Sequence, residues 1–321
     1  MENYILLYGD KKPEDNICIT NMFENSKPIH LGWTEFDYNH NMEIIEQSIK
    51  NGVKQIIFSG LEIGWDKLIK DIKEKNSNIK IKVICNTQDS LLYYDYEREN
   101  FFKLLELAKE KQVYDIAFLR KGQYDTYKGL GYNCSYLKEN YILKENKKVA
   151  IKLPNGKTDL GIYPLNYTWD KNIFNQLCIA KFFENCNLNY NRLEERMEDF
   201  LATMEIQSTK QKIEKIEDTE LIQKISQNDA TIATSFTDYM HPVFWISMEL
   251  GIPCLVGNHA DFLEEDLKQY VITKEEDNPI VNAKMVENMI KNKEKIHQLY
   301  KMWKQEYNKQ AKEQLEKFIE K

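Results

Sequence analysis

The stretch from Thr234 to Gly257 constrains this chain more than any other. It reads as a strand end at Thr234, a loop carrying Asp238, a helix opened by Pro242, a Gly251-Ile252-Pro253 turn and a second apolar strand ending before Gly257. Proline at a helix start gives up no hydrogen bond, whereas Gly-x-Pro closes a helix and begins an extended run. The product is one βαβ step. It places a carboxylate just past the carboxyl end of a strand, where open α/β sheets bind ligands.

The same alternation runs along the chain and implies parallel strands with crossover helices. In the first half the expected strands are Tyr4–Tyr8, Ile17–Thr20, Pro28–Leu31, Gln55–Ser59, Ile79–Ile84, Ile116–Leu119 and Ser135–Leu137. Helical patterns lie between them at Met42–Lys50, Trp65–Glu74, Leu91–Lys111 and Tyr124–Leu130. A charged stretch, Lys144–Lys148, reads as a hinge, and a Pro154–Lys157 turn as the tip of a hairpin joining Val149–Leu153 to Thr158–Ile162.

The second half repeats the pattern. Its expected strands are Asp159–Tyr163, Asn187–Tyr190, Thr203–Gln207, Thr231–Thr234, Pro253–Val256 and Tyr270–Thr273. Its expected helices are Trp169–Glu184, Glu194–Leu201, Asp218–Gln227, Pro242–Leu250, Ala260–Lys268 and Val281–Lys291. Two doubly wound units joined near residue 145 would face each other across a cleft. In the tail, Ile296, Leu299, Trp303, Tyr307, Ala311, Leu315 and Ile319 recur every three to four residues. They predict one or two amphipathic helices, packing either on their own domain or back over the first.

Composition excludes several classes. A chain of 321 residues with 42% hydrophobic content can build two ordinary domains with packed cores. A net charge of −7 argues against general nucleic-acid binding, which depends on phosphate neutralisation. No apolar run reaches the roughly 18–20 residues that span a bilayer. Met1–Tyr8 has no basic leader and reads as a first strand, not a signal peptide. The six cysteines are scattered without a C-x-x-C pair. Of these, Cys18, Cys85, Cys134 and Cys254 lie in apolar runs and read as reduced core residues, so the expectation is a cytoplasmic protein. No G-x-G-x-x-G opens a helix after a strand, which argues against a nicotinamide dehydrogenase.

The helix start at Trp169–Asn172 and the step from Asp238 to Gly251-Ile252-Pro253 resemble retaining glycosyltransferases of the GT-B fold, nearest to bacterial members acting on surface glycans. Gln55–Ile69, Ile79–Ile84, Ile116–Tyr124 and Lys128–Tyr132 resemble that family's N-terminal units, so the likeness spans roughly residues 50–290. It implies an N-terminal Rossmann-like acceptor domain over 1–145, a C-terminal donor domain over 146–300, and a helix over 301–321 packing back on the first. The implied substrates are a nucleotide sugar such as a UDP-sugar and a glycan, lipid-linked or protein acceptor. No metal or other cofactor is implied, because helix-end potential and basic side chains neutralise the leaving diphosphate.

Carried over residue by residue, Lys171 falls on the phosphate-binding lysine, with Thr168 as helix cap and Asn166 or Asn172 as further donors to the diphosphate. Asp238 falls on the first of two family acids and would hydrogen-bond the donor sugar, with His241 beside it. Ser235 and Thr237 can donate to phosphate or sugar oxygens. Each of these residues also has an ordinary reading as a turn, cap or surface residue.

Three positions depart from the pattern. The second acid is Ile246, which cannot accept from a ribose diol; Asn86 stands where a histidine is expected; and an arginine before Lys171 is missing. Two functions therefore remain open. One is a retaining, metal-independent sugar transferase. The other is a degenerate GT-B protein that binds an acceptor or serves as an accessory subunit of an active glycosyltransferase, its partners being that transferase subunit or membrane-associated enzymes.

Overall fold

The computed structural model describes residues 4–9, 23, 28–32, 37–139, 152, 156–164, 167–191, 193–211, 219–237, 242–260 and 262–321. Ile17–Thr20 and the Lys144–Lys148 hinge lie outside them. Contacts divide the chain into two units, Met1–Ile142 with Tyr307–Lys321, and Leu143–Glu306.

In the first unit, β1 (Tyr4–Tyr8), β2 (Ile29–His30), β3 (Gln55–Ser59), β4 (Lys80–Cys85), β5 (Asp115–Phe118) and β6 (Cys134–Tyr136) form one sheet in the order β2-β1-β3-β4-β5-β6. Every pairing is parallel. The connecting helices are α1 (Tyr38–Lys50), α2 (Trp65–Lys75), α3 (Asp95–Lys109) and α4 (Lys121–Gly129). Strands buried on both faces read as continuous apolar runs, which is why they were legible. Ile56, Phe58, Ile81, Val83, Ile116 and Phe118 point into one core with Trp65, Leu68 and Phe101. Leu6, Ile57, Ile84 and Ala117 point the other way, against Leu315 and Phe318 of the chain's last helix.

In the second unit, β7 (Thr158–Ile162), β8 (Cys186–Tyr190), β9 (Ser208–Lys210), β10 (Ala230–Ala233) and β11 (Cys254–Val256) form a second parallel sheet in the order β11-β10-β7-β8-β9. The helices are α5 (Ile173–Ile179), α6 (Glu195–Thr203), α7 (Thr219–Ile225), α8 (Pro242–Glu249), α9 (Glu265–Val271) and α10 (Pro279–Lys291). The tail is a single helix, α11 (Lys293–Glu320). Its apolar stripe is buried at Ile296, Tyr300, Trp303, Tyr307, Ala311, Leu315 and Phe318. Its residues from Tyr307 onward belong to the first unit, as the crossing-back expectation required.

Among the described residues β7 pairs only in parallel, with β8 and β10 on its two edges, and the expected hairpin partner Val149–Leu153 lies outside them apart from Lys152. Three expectations are corrected. Thr203–Gln207 is no strand: α6 runs to Thr203, and Glu205 then takes a left-handed φ of 53°. Of Tyr270–Thr273, the first two residues end α9, and beyond them Ile272 makes a single bridge to Val256, with the Thr273 amide donating to the Val256 carbonyl at 3.0 Å. The helix expected over Trp169–Glu184 is broken at Asn172, where φ is 54°.

Candidate functional site

In the second sheet the chain runs outward from β7 to β8 and β9, then returns to place β10 on the other side of β7. Loops leaving the carboxyl ends of β7 and β10 therefore depart in opposite directions, and the gap between them is the preferred ligand position of such a sheet. Tyr163, Pro164, Lys171, Gln176, Ala233 and Ser235 line an indentation there with about 10 Å³ of free space, room for one water molecule.

Two backbone features shape this rim. After β7, Thr168 is extended, Trp169–Lys171 make one 3-10 turn, and left-handed Asn172 begins α5. Asn is among the few residues that tolerate this conformation. Gly257, after β11, passes so close to β10's exit loop that a Cβ there would lie 2.5 Å from the Ser235 carbonyl oxygen.

Hydrogen bonds stitch the loops together. Asn172 Nδ2 donates to the Thr234 carbonyl at 3.0 Å and the Glu276 carbonyl at 2.7 Å. Its Oδ1 accepts from Asn175 at 2.6 Å. Gln176 Nε2 donates to the Lys171 carbonyl at 2.7 Å. The Phe236 amide donates to the Asp170 carbonyl at 2.7 Å, and Thr237 Oγ1 to Asp170 Oδ2 at 2.8 Å. Lys171 Nζ stands 3.5 Å from the same Oδ2. Above this buried layer the exposed rings of Trp169 and Phe236 lie side by side, 6.2 Å between centroids.

The Tyr163 ring folds back over Gly161, which leaves room for it: a Cβ at Gly161 would lie 2.6 Å from the ring. Asn228 Nδ2 donates to the Tyr163 hydroxyl at 2.9 Å, and that hydroxyl donates to Gln211 Oε1 at 3.1 Å. Burial pushes its pKa up, so the phenol stays protonated.

The structure thus gathers Lys171, Ser235, Thr168, Asn172 and Thr237 at one rim. Asn172 has both amide hydrogens committed to backbone carbonyls, so its role here is to hold loops. Asn166, Asp238 and His241 lie outside the described residues. Ile246 is 1% exposed in α8, where every residue from Val243 to Met248 is buried. In that position it offers a ligand no surface. Asn86 belongs to the first unit, at the carboxyl end of β4; its Nδ2 donates to Ser59 Oγ at 3.2 Å. Its Oδ1 is buried without a hydrogen-bond partner among the described residues. Sequence reading missed Asp170, Gln176 and Tyr163. Only Asp170 carried a signal, as the acid beside the candidate phosphate lysine.

No protein-family model matches the chain, and no curated protein matches it in sequence. Solved structures do. Sucrose-phosphate synthase from Thermosynechococcus elongatus superimposes with a TM-score of 0.71 at 9% identity, over 99% of this chain and 98% of that one. Anabaena Alr3699/HepE, determined in complex with UDP and glucose, gives 0.65 at 10% identity over 98% and 99% of the two chains. The lipopolysaccharide outer core galactosyltransferase WaaB, in its apo form, gives 0.63 at 11% identity over 95% and 98%. These likenesses establish a GT-B fold of two parallel-sheet α/β units along the whole chain.

Proposed function

We propose that this protein is a glycosyltransferase that moves a sugar from a nucleotide-diphosphate donor, such as a UDP-sugar, to a glycan, lipid-linked or protein acceptor. The observation that carries the reading is the Lys171–Ser235 rim at the switch point between β7 and β10. Lys171 and Ser235 both line it, and an ammonium with a hydroxyl is the chemistry a leaving diphosphate needs. Two fold neighbours support it: one is a UDP-forming synthase from Burkholderia xenovorans, and Alr3699/HepE was determined with UDP and glucose.

In this reading the sugar–oxygen bond to the diphosphate breaks, and its electron pair stays on the diphosphate, opposite Lys171. An acceptor hydroxyl bonds to the anomeric carbon from the same face, with retention and without a metal. The hydroxyl's proton passes to a departing phosphate oxygen. Asp238 hydrogen-bonds the donor sugar, His241 stands beside it, and Ser235 and Thr168 donate to phosphate oxygens. Asn86, in the first unit, orients an acceptor hydroxyl. It cannot shuttle a proton near neutral pH, so positioning and charge stabilisation carry the rate.

Calorimetric titration with UDP, GDP and their sugars tests the reading. One of them binds at micromolar strength and is slowly hydrolysed; Lys171→Ala weakens that binding. Asp238→Ala slows transfer more than it weakens nucleotide binding. Absence of binding to every nucleotide would sink the proposal.

A further inference from the structure

We infer that Asp170 sets how tightly the second unit holds a diphosphate, because it is a built-in counter-anion that a phosphate has to displace from Lys171. This rests on the donor reading above and adds a residue to it. The two side chains are adjacent in sequence and both buried, Asp170 at 4% exposure and Lys171 at 8%. Nζ lies 3.5 Å from Oδ2. Away from water such charges attract each other far more strongly than they would in solvent.

The carboxylate is under-satisfied on its other side. Oδ1 is buried with no hydrogen-bond partner among the described residues, while Oδ2 has Thr237 Oγ1 at 2.8 Å. A buried carboxylate with an unmatched oxygen leans on whatever cation is near. Here that cation is Lys171, which also lines the indentation. An incoming phosphate therefore meets a lysine already neutralised and a carboxylate directly behind it. The formal charge of the Asp170–Lys171 pair is zero, where a phosphate site calls for a surplus of positive charge.

Asp170 is not needed as a charge to hold the loops. The Phe236 amide bonds to its main-chain oxygen, and Thr237 donates to an oxygen that an amide side chain also possesses. Asp170→Asn thus removes the charge and keeps the junction. Thr237→Val does the reverse, keeping the charge and removing a hydrogen bond.

The test measures binding of UDP, GDP and ADP, and of uridine, guanosine and adenosine, to the full-length wild type and both variants, with thermal unfolding to show that each is folded. For the preferred nucleotide, D170N binds the diphosphate about tenfold more tightly than wild type. The matched nucleoside changes by less than about twofold. T237V gains nothing. If the amide's added hydrogens prevent folding, Asp170→Ser carries the same expectation. Wild-type binding that D170N leaves equal or weakens overturns the inference and spares the donor reading. No binding by any of the proteins overturns both.

Discussion

Lys82, at the centre of the first sheet, donates to the main-chain oxygens of Phe318 and Ile319 and so closes the last turn of α11. Lys80 Nζ adds a bond to the Lys321 carbonyl at 2.8 Å and Gln55 Nε2 one to the Ile319 carbonyl at 3.0 Å. The last carbonyls of a helix have no partners within it and carry its negative end, so cations there satisfy both needs. Burial pulls the Lys82 pKa down from 10.5 to about 8.

The sign of the pH dependence follows. Between about 8 and 10.5 the unfolded chain holds a proton on residue 82 that the folded chain has shed. Stability contributed by this site therefore rises as pH rises through that window. Urea midpoints of wild type and Lys82→Met at pH 7.5 and 9.5 check it. The variant is destabilised by roughly 1–3 kcal/mol through its orphaned helix-end carbonyls, and the gap between the two proteins widens at the higher pH. A gap that narrows refutes the assignment.

Next to Lys82, Asp115 is wholly buried, and its Oδ2 meets Lys321 Nζ at 2.9 Å and Ser135 Oγ at 2.7 Å. Burial raises its pKa. Lys321→Ala leaves that carboxylate without its nearest cation and costs roughly 3 kcal/mol. The loss is readable as a lowered thermal midpoint with faster amide exchange over the last two turns of α11. Asp115→Asn in the K321A background recovers most of it, because the uncompensated charge is then gone. If the double variant is no more stable than K321A, the effect is not electrostatic.

Ile246 separates what a family pattern predicts from what packing permits. It stands where similar enzymes carry an acid, yet α8 is buried on all sides here. Phe244 and Trp245 pack there with Phe262, Tyr300 and Trp303. Ile246→Glu accordingly does not restore a ribose contact. It places a carboxylate in an apolar interior at a cost of several kcal/mol, on the order of 4. Circular dichroism and the thermal midpoint show unfolding or near-unfolding. A stable I246E protein with improved nucleotide binding would show that this helix face opens to ligand.

Parallel strands were legible because they are apolar on both faces. Tyr4–Tyr8 and Gln55–Ser59 sit in the structure over the expected residues. Helix ends were not, where the stop is a left-handed residue other than glycine. Glu205 carries no sequence mark of its φ, and an asparagine such as Asn172 tolerates a left-handed φ without requiring it, so the expected strand falls where α6 ends and the expected single helix where two short ones stand. Lys82 lies in the expected strand Ile79–Ile84, but the partner that its ammonium meets is a helix end 236 residues away. Glu249, on α8, likewise meets α11: it accepts from Tyr300 Oη at 2.9 Å and pairs with Lys304. At the site, the resemblance singled out Lys171 and a strand-end position singled out Ser235, and both line the indentation. Asp170 stands beside that lysine, a weak signal, because an acid in a first turn is also ordinary helix-start chemistry.

Gly257 gives a test of the rim that leaves every polar group of the site in place. A methyl group there would stand 2.5 Å from the Ser235 carbonyl oxygen and 2.7 Å from His259 Nδ1. The imidazole can turn aside, but the carbonyl belongs to the loop that leaves β10. Gly257→Ala therefore pushes the β10 and β11 exit loops apart, costing about 1–3 kcal/mol in overpacking. Because Ser235 moves with its carbonyl, nucleotide binding weakens as well, with Lys171, Asp170 and Thr237 untouched. Crystallography or amide exchange of Ser235–Thr237 in G257A locates the displacement. Unchanged nucleotide affinity in a variant so displaced would mean that Ser235 does not touch the ligand.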